Sequence, residues 1–215
     1  MGMRANHQAA TMLGVIARSM PQITRRSVNP AHFLRPWLLV LLVLLAAAQE
    51  PSQAQSQIDE YRVKAAFLYH FVKLVDWPAG SLGDASQPMS LCTFGDDPFQ
   101  GELDRSVDGK SVGSRVIRVR HLRDPKTLRD CQILFLGKSE DKRTPVILAD
   151  LAGIPLLTVG ESDSFAQQGG MIGFALDENK IRFNINLDPA ERSGLKISSK
   201  LLLLAKEVIG NRGGK

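Results

Sequence analysis

The hydrophobic residues that follow residue 57 recur every three or four positions, which is the spacing of an amphipathic helix. The pattern predicts a helix over 58–76, and a proline at position 78 ends it because proline disfavours helix in the residue before it. One apolar stripe of this helix consists of Ile58, Tyr61, Ala65, Leu68, Val72 and Val75. A second row widens the apolar face, so the helix should be well buried. That row consists of Val63, Phe67, Phe71 and Leu74.

Short apolar runs alternate with helical patterns in the next part of the chain. Two apolar runs predict buried strands, at 131–136 and 155–159, and a short strand is predicted at 90–94. The run 114–120 alternates charged and apolar residues, which predicts a strand with one wet face near a sheet edge. Short helices are predicted at 98–105, 125–129 and 144–151. Strands that alternate with helices indicate a mostly parallel sheet.

The C-terminal part has a different pattern. Two apolar runs, 171–176 and 180–187, are separated by the turn residues 177–179 and predict a β-hairpin. A short helix should begin at Asp188, and a last helix should begin near Ser198. The residues that this last helix is expected to bury are Leu201, Leu204, Ala205 and Val208. The predicted fold class is α/β, a three-layer sandwich with a mostly parallel central sheet, a C-terminal antiparallel hairpin and helices on both faces.

An uninterrupted run of 12 apolar residues at 37–48 has arginines before it and small residues after it. It is too short to span a bilayer comfortably, which takes roughly 20 residues, and it suits a secretory signal. Cleavage is expected after Ala48 or after Ala54, and the second site is preferred because the apolar run then ends a few residues upstream. A retained anchor is the alternative. We therefore assign 1–54 to a signal peptide with a long n-region, and 55–215 to a single domain.

The positive charge of the chain lies mostly in this leader. The whole sequence has 27 basic and 22 acidic residues, a formal net charge of +5. Residues 1–54 hold five of the basic residues and one acidic residue, which leaves 22 against 21 in 55–215. Because the domain is then close to neutral, nucleic-acid binding loses its main support.

The two cysteines, Cys92 and Cys131, both lie in the predicted domain. Export places them in a compartment where disulfides persist, and two cysteines allow one intramolecular pairing. Cys92 lies in the first predicted strand of the sheet and Cys131 begins the third. If these strands are neighbours, or one strand apart with some offset, the Cα atoms can approach the separation of roughly 4.4–6.8 Å that a disulfide needs.

Few residues of the domain could carry chemistry. His70 and His121 have no partner at a diagnostic spacing, and the sequence contains no zinc or EF-hand pattern. The pair Asp96–Asp97 is interpreted as a helix cap. We therefore predict a protein that is not an enzyme and that holds no metal and no cofactor.

Two further features leave alternatives open. Gly169–Gly170 is interpreted as a turn that feeds the next strand, and a close backbone approach to a ligand is the alternative. The four arginines of the alternating strand form either a solvated face or a docking surface for an acidic partner. These arginines are Arg115, Arg118, Arg120 and Arg123.

Several segments occur together in a specific order over about residues 58–209. They are EYRVKAAFLYHFVKLVDWP at 60–78, CQILFL at 131–136, LTVG at 157–160 with Phe165 and Gly169–Met171, RFNIN at 182–186, and GLKISSKLL at 194–202. With these segments in this order, the chain resembles the YfiR family of exported bacterial proteins.

The resemblance implies an α/β sandwich that acts by binding. The best-known member of the family is a periplasmic repressor that contacts the periplasmic domain of an inner-membrane diguanylate cyclase and so lowers cyclic-di-GMP signalling and biofilm formation. Cys92 and Cys131 match a pair that forms a bridge in that member, where it is linked to redox sensing. The resemblance places the docking face on the 180–187 strand and the last helix, and whether two copies pair is left open. The candidate partner-binding residues are Arg182, Asn184, Asn186 and Lys196.

A second hypothesis is a periplasmic small-molecule binding protein or an accessory subunit of an envelope transporter. This hypothesis predicts a concave apolar pocket at the carboxyl ends of the parallel strands.

Overall fold

The computed structural model describes residues 51–178 and 180–210, and the side chains from residue 56 onward. Its helices are α1 (Pro51–Lys73), α2 (Glu102–Val107), α3 (Thr144–Asp150), α4 (Leu187–Arg192) and α5 (Ser199–Leu204). Its strands are β1 (Val75–Asp76), β2 (Met89–Phe94), β3 (Ser111–Val112), β4 (Arg115–Leu122), β5 (Ile133–Leu136), β6 (Leu157–Gly160), β7 (Ile172–Asp177), β8 (Lys180–Asn186), β9 (Lys196–Ile197) and β10 (Glu207–Ile209). Two 3₁₀ turns span Pro125–Asp130 and Lys138–Glu140.

Eight of these strands form one sheet in the order β10-β8-β7-β6-β5-β2-β4-β3. The strands from β7 to β4 are parallel to their neighbours, and β7 and β8 form an antiparallel hairpin. The α/β fold with a mostly parallel sheet and a C-terminal hairpin is confirmed. The short strands β1 and β9 pair separately in a two-stranded antiparallel sheet.

Hydrophobic cores lie on both faces of the large sheet because successive strand residues point to opposite faces. Leu91 of β2 belongs to the core that α1 and α2 cover, and this core includes Leu68 and Phe71 of α1. Cys92, the next residue, belongs to the core on the other face, which α3 and the Pro125–Asp130 turn cover. Burying one such leucine or phenylalanine contributes roughly 1.5–3 kcal/mol, so the two cores fix the three layers.

The loops that follow β2 and β5 leave the sheet towards opposite faces, the first to α2 and the second to α3. In open α/β sheets such a switch point is where ligands usually bind. Here the two loops contact each other. The Asp96 amide donates a hydrogen bond to Ser139 Oγ at 3.0 Å, and a Cβ added at Gly95 would overlap Ser139. The chain itself fills the crevice in which the small-molecule hypothesis expects its pocket.

Two predicted helix boundaries were wrong. The first helix ends at Lys73 instead of residue 76, because Val75 and Asp76 pair with β9 as strand β1. The predicted helix at 98–105 forms only from Glu102. The Asp97 carboxylate does not cap it, but accepts a hydrogen bond from the Phe99 amide within a turn at 3.0 Å.

The C-terminal prediction also needs correction. The last helix ends at Leu204, whose surface is 56% exposed, so Leu204 is not a core residue as predicted. Residues 207–209 leave the helix and form β10, which runs parallel to β8 at the sheet edge. Hydrogen bonds to β8 and the β-branched side chains of Val208 and Ile209 favour a strand over another helical turn.

The segment between β6 and β7 is built around Phe165, which is 1% exposed. Its ring lies against two glycines, Gly160 at the end of β6 and Gly170 before β7, and a Cβ at either position would overlap the ring. Gly169 has a φ of 99°, a left-handed turn conformation that favours glycine. The glycine pair therefore serves a turn and a close approach by Phe165, which explains its occurrence without a ligand.

Replacing Gly160 by alanine is expected to lower the free energy of unfolding by about 1–3 kcal/mol, because the new methyl group overpacks against the Phe165 ring. Gly173→Ala is the milder comparison, since a Cβ there would meet the Ala166 amide nitrogen at 3.3 Å and the Phe165 Cβ at 3.4 Å but would not overlap the Phe165 ring. Urea unfolding measures both variants. Equal stabilities for the two alanine variants would contradict the proposed packing of Phe165.

Candidate functional site

Three of the four predicted partner-binding residues lie on one face of β8. Arg182, Asn184 and Asn186 alternate with Phe183 and Ile185, which point into the core under α1. Arg182 is exposed, whereas the two asparagines are buried. The fourth, Lys196, lies in the small sheet, where it pairs with Asp76. The structure therefore brings three of the predicted residues together but leaves Lys196 on another sheet.

The two asparagines differ in their contacts. Asn186 forms two hydrogen bonds with the backbone. Its Nδ2 donates to the Ala166 carbonyl at 2.8 Å, and its Oδ1 accepts from the Asp188 amide in the first turn of α4. Asn184 is 9% exposed, and its Oδ1 has no hydrogen-bond partner within the described residues. Asn186 thus has a structural role, and Arg182 is the member of this set that reaches solvent.

Exposed leucines lie close to the tip of the β7–β8 hairpin. Leu176 is 60% exposed, and the consecutive α5 residues Leu203 and Leu204 are 85% and 56% exposed. Lys206 brings the end of α5 to the hairpin, because its Nζ lies 2.7 Å from Asp177 and its amide donates to the Phe183 carbonyl at 2.8 Å. We call Leu176, Leu203 and Leu204 the leucine surface. Apolar side chains exposed together in this way mark interaction sites.

A buried ionic network joins α1 to the end of β6, and sequence reasoning missed it. Lys64 and Glu161 are 3% and 6% exposed, and Nζ lies 2.8 Å from Oε2. The same oxygen accepts a hydrogen bond from the Tyr61 hydroxyl at 3.0 Å, and the other carboxylate oxygen accepts from the Lys138 amide. Glu60 adds a second carboxylate 2.6 Å from the lysine. Lys64 thus pairs with two carboxylates, and the network holds the helical layer on the sheet.

The position of Tyr61 and Lys64 three residues apart is the signal that could have located this network, because that spacing places both on one face of a helix. Their partner Glu161 lies far away in sequence, directly after the LTVG segment. Burial and the adjacent Glu161 carboxylate raise the pKa of the Tyr61 phenol well above its ordinary value. Burial and the same carboxylate also raise the pKa of Asp141.

Replacing Tyr61 by phenylalanine is expected to lower stability at neutral pH by about 1.5–3 kcal/mol, the usual contribution of a hydrogen bond to a charged group. At alkaline pH the difference should shrink. The folded phenol holds its proton more tightly than the unfolded one, so the wild type loses stability as pH rises above the ordinary tyrosine pKa of 10.0.

Urea unfolding at neutral and alkaline pH measures this effect in Tyr61→Phe. Tyr69→Phe is the control, since Tyr69 is the other tyrosine of the chain and is only partly buried. A Tyr61→Phe variant with the same alkaline decline as the wild type would contradict the assignment.

His121 has contacts that the sequence did not predict. Its Nδ1 lies 2.9 Å from Thr93 Oγ1, and its Nε2 lies 3.1 Å from an Asp104 carboxylate oxygen. A hydroxyl, an imidazole and a carboxylate in series suggest nucleophilic catalysis, but Thr93 is 2% exposed, and its hydroxyl is therefore shielded from a substrate. We interpret the series as a link between β2, β4 and α2.

The four arginines of the predicted cluster have three kinds of environment. Arg115 donates hydrogen bonds to the carbonyls of Gly83 and Gln87, at 3.0 and 3.1 Å, and holds the loop before β2. Arg123 lies just after β4 and forms an ion pair with Asp96 at 3.8 Å. Arg118 and Arg120 lie within β4 and form no ion pair or hydrogen bond within the described residues. Of the four arginines, these two are free to contact a partner.

The two cysteines form a disulfide in the structure. Cys92 lies in β2 and Cys131 immediately precedes β5, and these strands are neighbours in the sheet with a Cα–Cα distance of 6.1 Å. Both residues are buried in the core on the α3 side of the sheet. The bridge therefore joins two adjacent central strands.

The described residues were also searched for other sites. From residue 51 onward, apart from the masked positions, no group of three or more His, Cys, Asp or Glu side chains is arranged to hold a metal ion. Within the same part of the chain, no helix is both long and apolar enough to cross a bilayer. Cavities lined by Tyr61 and Phe99, by Leu148 and Met171, and by Leu128 and Ile147 have volumes of about 170, 220 and 250 Å³. Small-molecule sites usually measure about 300–1,000 Å³.

These features define a disulfide-bonded α/β domain with an exposed apolar surface. A family model described as YfiR/HmsC-like matches residues 61–206, and the chain belongs to this family. The family membership expected from the sequence segments is thereby confirmed.

Two solved structures are similar to the chain. A conserved domain protein from Vibrio cholerae matches with a TM-score of 0.46 and 11% sequence identity, over 67% of this chain and 60% of that chain. The ABC domain in complex with L-Trp from Streptococcus pneumoniae matches with a TM-score of 0.44 and 8% identity, over 56% of this chain and 55% of that chain. Each match thus covers less than two thirds of the length of the solved structure.

Proposed function

We propose that this protein is a periplasmic regulator that represses an inner-membrane diguanylate cyclase by binding its periplasmic domain, and so lowers cyclic-di-GMP signalling. Membership of the YfiR/HmsC-like family is the observation that carries this proposal. A regulator of this kind acts by binding one state of its partner more tightly than the other. It needs a rigid surface and no catalytic groups.

The leucine surface is the proposed docking face. It lies beside β8 and on α5, which are the two elements that the family resemblance indicated. Leu203 is 85% exposed, so it buries much apolar area when a partner covers it. Arg182 lies on the same hairpin but faces the other side of the sheet, since it pairs with Ala175 whereas Leu176 pairs with Ile181; it is therefore not part of the leucine surface.

Export is part of the proposal, because the partner surface lies outside the cytosol. The apolar run at 37–48 supports a cleaved leader, and the disulfide supports an oxidising compartment. Helix α1 begins at Pro51, so cleavage after Ala48 leaves the helix whole whereas cleavage after Ala54 removes its first turn. We therefore favour cleavage after Ala48 over the Ala54 site that the sequence pattern favoured.

Cellular cyclic-di-GMP tests the proposal. Deleting the gene should raise the cyclic-di-GMP level, and the wild-type gene should restore it. A Leu203→Glu/Leu204→Glu variant should not restore it, because the charges prevent apolar docking. Val146→Glu is the matched control, since Val146 is 65% exposed on α3, away from the leucine surface.

An unchanged cyclic-di-GMP level after deletion would refute the repressor role. Restoration by the double leucine variant would instead refute the docking face and leave the regulatory role intact. Periplasmic abundance of each variant, measured by immunoblot, separates loss of docking from loss of folding.

A further inference from the structure

Strand β4 has an open edge over most of its length. Its outer neighbour β3 has two residues and pairs only with Arg115 and Val116. The Ile117 amide then donates to the Lys110 carbonyl at 3.0 Å. From Arg118 to Leu122, no backbone group of another described strand pairs with this outer side, although β2 pairs with the inner side throughout.

The side chains along this open edge are basic on one face. Arg118 and Arg120 point to the same side because strand residues alternate, and they lie roughly 7 Å apart along the strand. Val116 precedes them on that side and is 45% exposed. The other side of β4 is covered, since Ile117 packs into the core with Leu103 and Val107 of α2.

Positive charges on an edge strand often serve to prevent unwanted pairing between copies of a protein. Two arginines two residues apart repel a second copy of the same strand. The same charges attract a strand that carries carboxylates at alternate positions, because opposite charges face each other across paired strands. The charge pattern thus selects one kind of strand.

We infer that the open edge of β4 from Arg118 to Leu122 accepts an extended acidic segment of a partner protein by strand addition. Main-chain hydrogen bonds supply affinity in this recognition mode, and side chains supply specificity. Residues 55–215 carry 22 basic and 21 acidic residues, so the domain as a whole is close to neutral. The positive charge is confined to this edge, which argues against an anionic membrane as the occupant. The edge lies at the opposite end of the sheet from β10, so it is distinct from the leucine surface and does not depend on the proposed docking there.

The test uses the protein as purified from the periplasm and a labelled eight-residue peptide that alternates glutamate and valine. Fluorescence anisotropy should show binding that weakens with salt, and hydrogen exchange should slow in residues 118–122. Reversing both charges with Arg118→Glu/Arg120→Glu should weaken binding by about tenfold or more. Lys142→Glu/Arg192→Glu is the matched control, because it makes the same change in net charge at two exposed residues outside β4 and outside the leucine surface.

Several results would overturn the inference. They are absence of peptide binding, an equal loss in the control variant, or protection from exchange that falls outside residues 118–122. Binding to phosphatidylglycerol vesicles in place of the peptide would assign the surface to a membrane. If the charge-reversal variant does not fold, as judged by circular dichroism, Arg118→Ser/Arg120→Ser provides the same comparison.

Discussion

Removing the disulfide is expected to lower the free energy of unfolding by about 4 kcal/mol, the loop-closure value for a bridge with a sequence separation of 39 residues. Domain stabilities are commonly about 5–15 kcal/mol, so this is a large fraction of the total. For a domain of this size the loss corresponds to a fall in melting temperature of about 8–16 °C. The loss should be large because the bridge closes a long loop of the unfolded chain and Cys92 and Cys131 are the two cysteines of the sequence, so no other disulfide can replace it.

Melting curves with and without reductant measure this effect. A Cys92→Ala/Cys131→Ala variant should melt at the same low temperature in both conditions, which makes it the control for any other effect of the reductant. A wild type whose melting curve is unchanged in reductant would contradict a stabilising bridge, provided that mass spectrometry shows both thiols reduced.

Breaking the buried ion pair is expected to have a similar effect. Lys64→Met leaves the Glu161 carboxylate buried opposite no cation, and an uncompensated buried charge usually costs about 3–5 kcal/mol. The lost partners are specific: Nζ lies 2.8 Å from Glu161 and 2.6 Å from Glu60. Urea unfolding measures the change in stability.

The double variant Lys64→Met/Glu161→Gln should recover part of the loss, because it removes the stranded charge as well as its partner. Arg62→Met is the matched control on the same helix. Arg62 is 57% exposed and pairs with Asp59, and exposed pairs contribute about 0–1 kcal/mol. Equal losses for Lys64→Met and Arg62→Met would show that the buried network does not hold α1 to the sheet.

The elements that local pattern determines were predicted well. Continuous apolar runs such as CQILFL correctly indicated central strands, and the short polar turn at 177–179 correctly indicated the hairpin. The errors concern residues whose structure depends on distant partners. Val75 continues the helical stripe in sequence, but it forms a strand because Ile197 lies beside it. Val208 likewise leaves the predicted helix because β8 offers a free edge.

The candidate site was predictable only in part for the same reason. The alternation of Arg182, Asn184 and Asn186 placed them on one face, but the sequence could not show that Asn186 would hold the Ala166 carbonyl. The network of Tyr61, Lys64 and Glu161 depends on a contact between Lys64 and Glu161, which lie 97 positions apart in the sequence. No local pattern reveals such a contact. Leu204 was predicted to be a core residue but is exposed, and no sequence pattern singled out Leu203, which is the more exposed of the two.

The disulfide and the ionic network have a common consequence for function. One holds two central strands together, and the other holds α1 on the sheet, so both keep the scaffold rigid. A rigid scaffold presents the leucine surface in a fixed geometry, which reduces the entropy lost when a partner binds. Thr93 and Glu161 are both buried, and their polar groups bind other groups inside the protein.

Direct binding tests the central claim. The protein purified from the periplasm is titrated by calorimetry with the isolated periplasmic domain of a membrane-anchored diguanylate cyclase encoded beside its gene. The account predicts a saturable complex of micromolar or tighter affinity that Val146→Glu retains and Leu203→Glu/Leu204→Glu loses. A titration in which the wild-type protein binds no more strongly than the double leucine variant would contradict it.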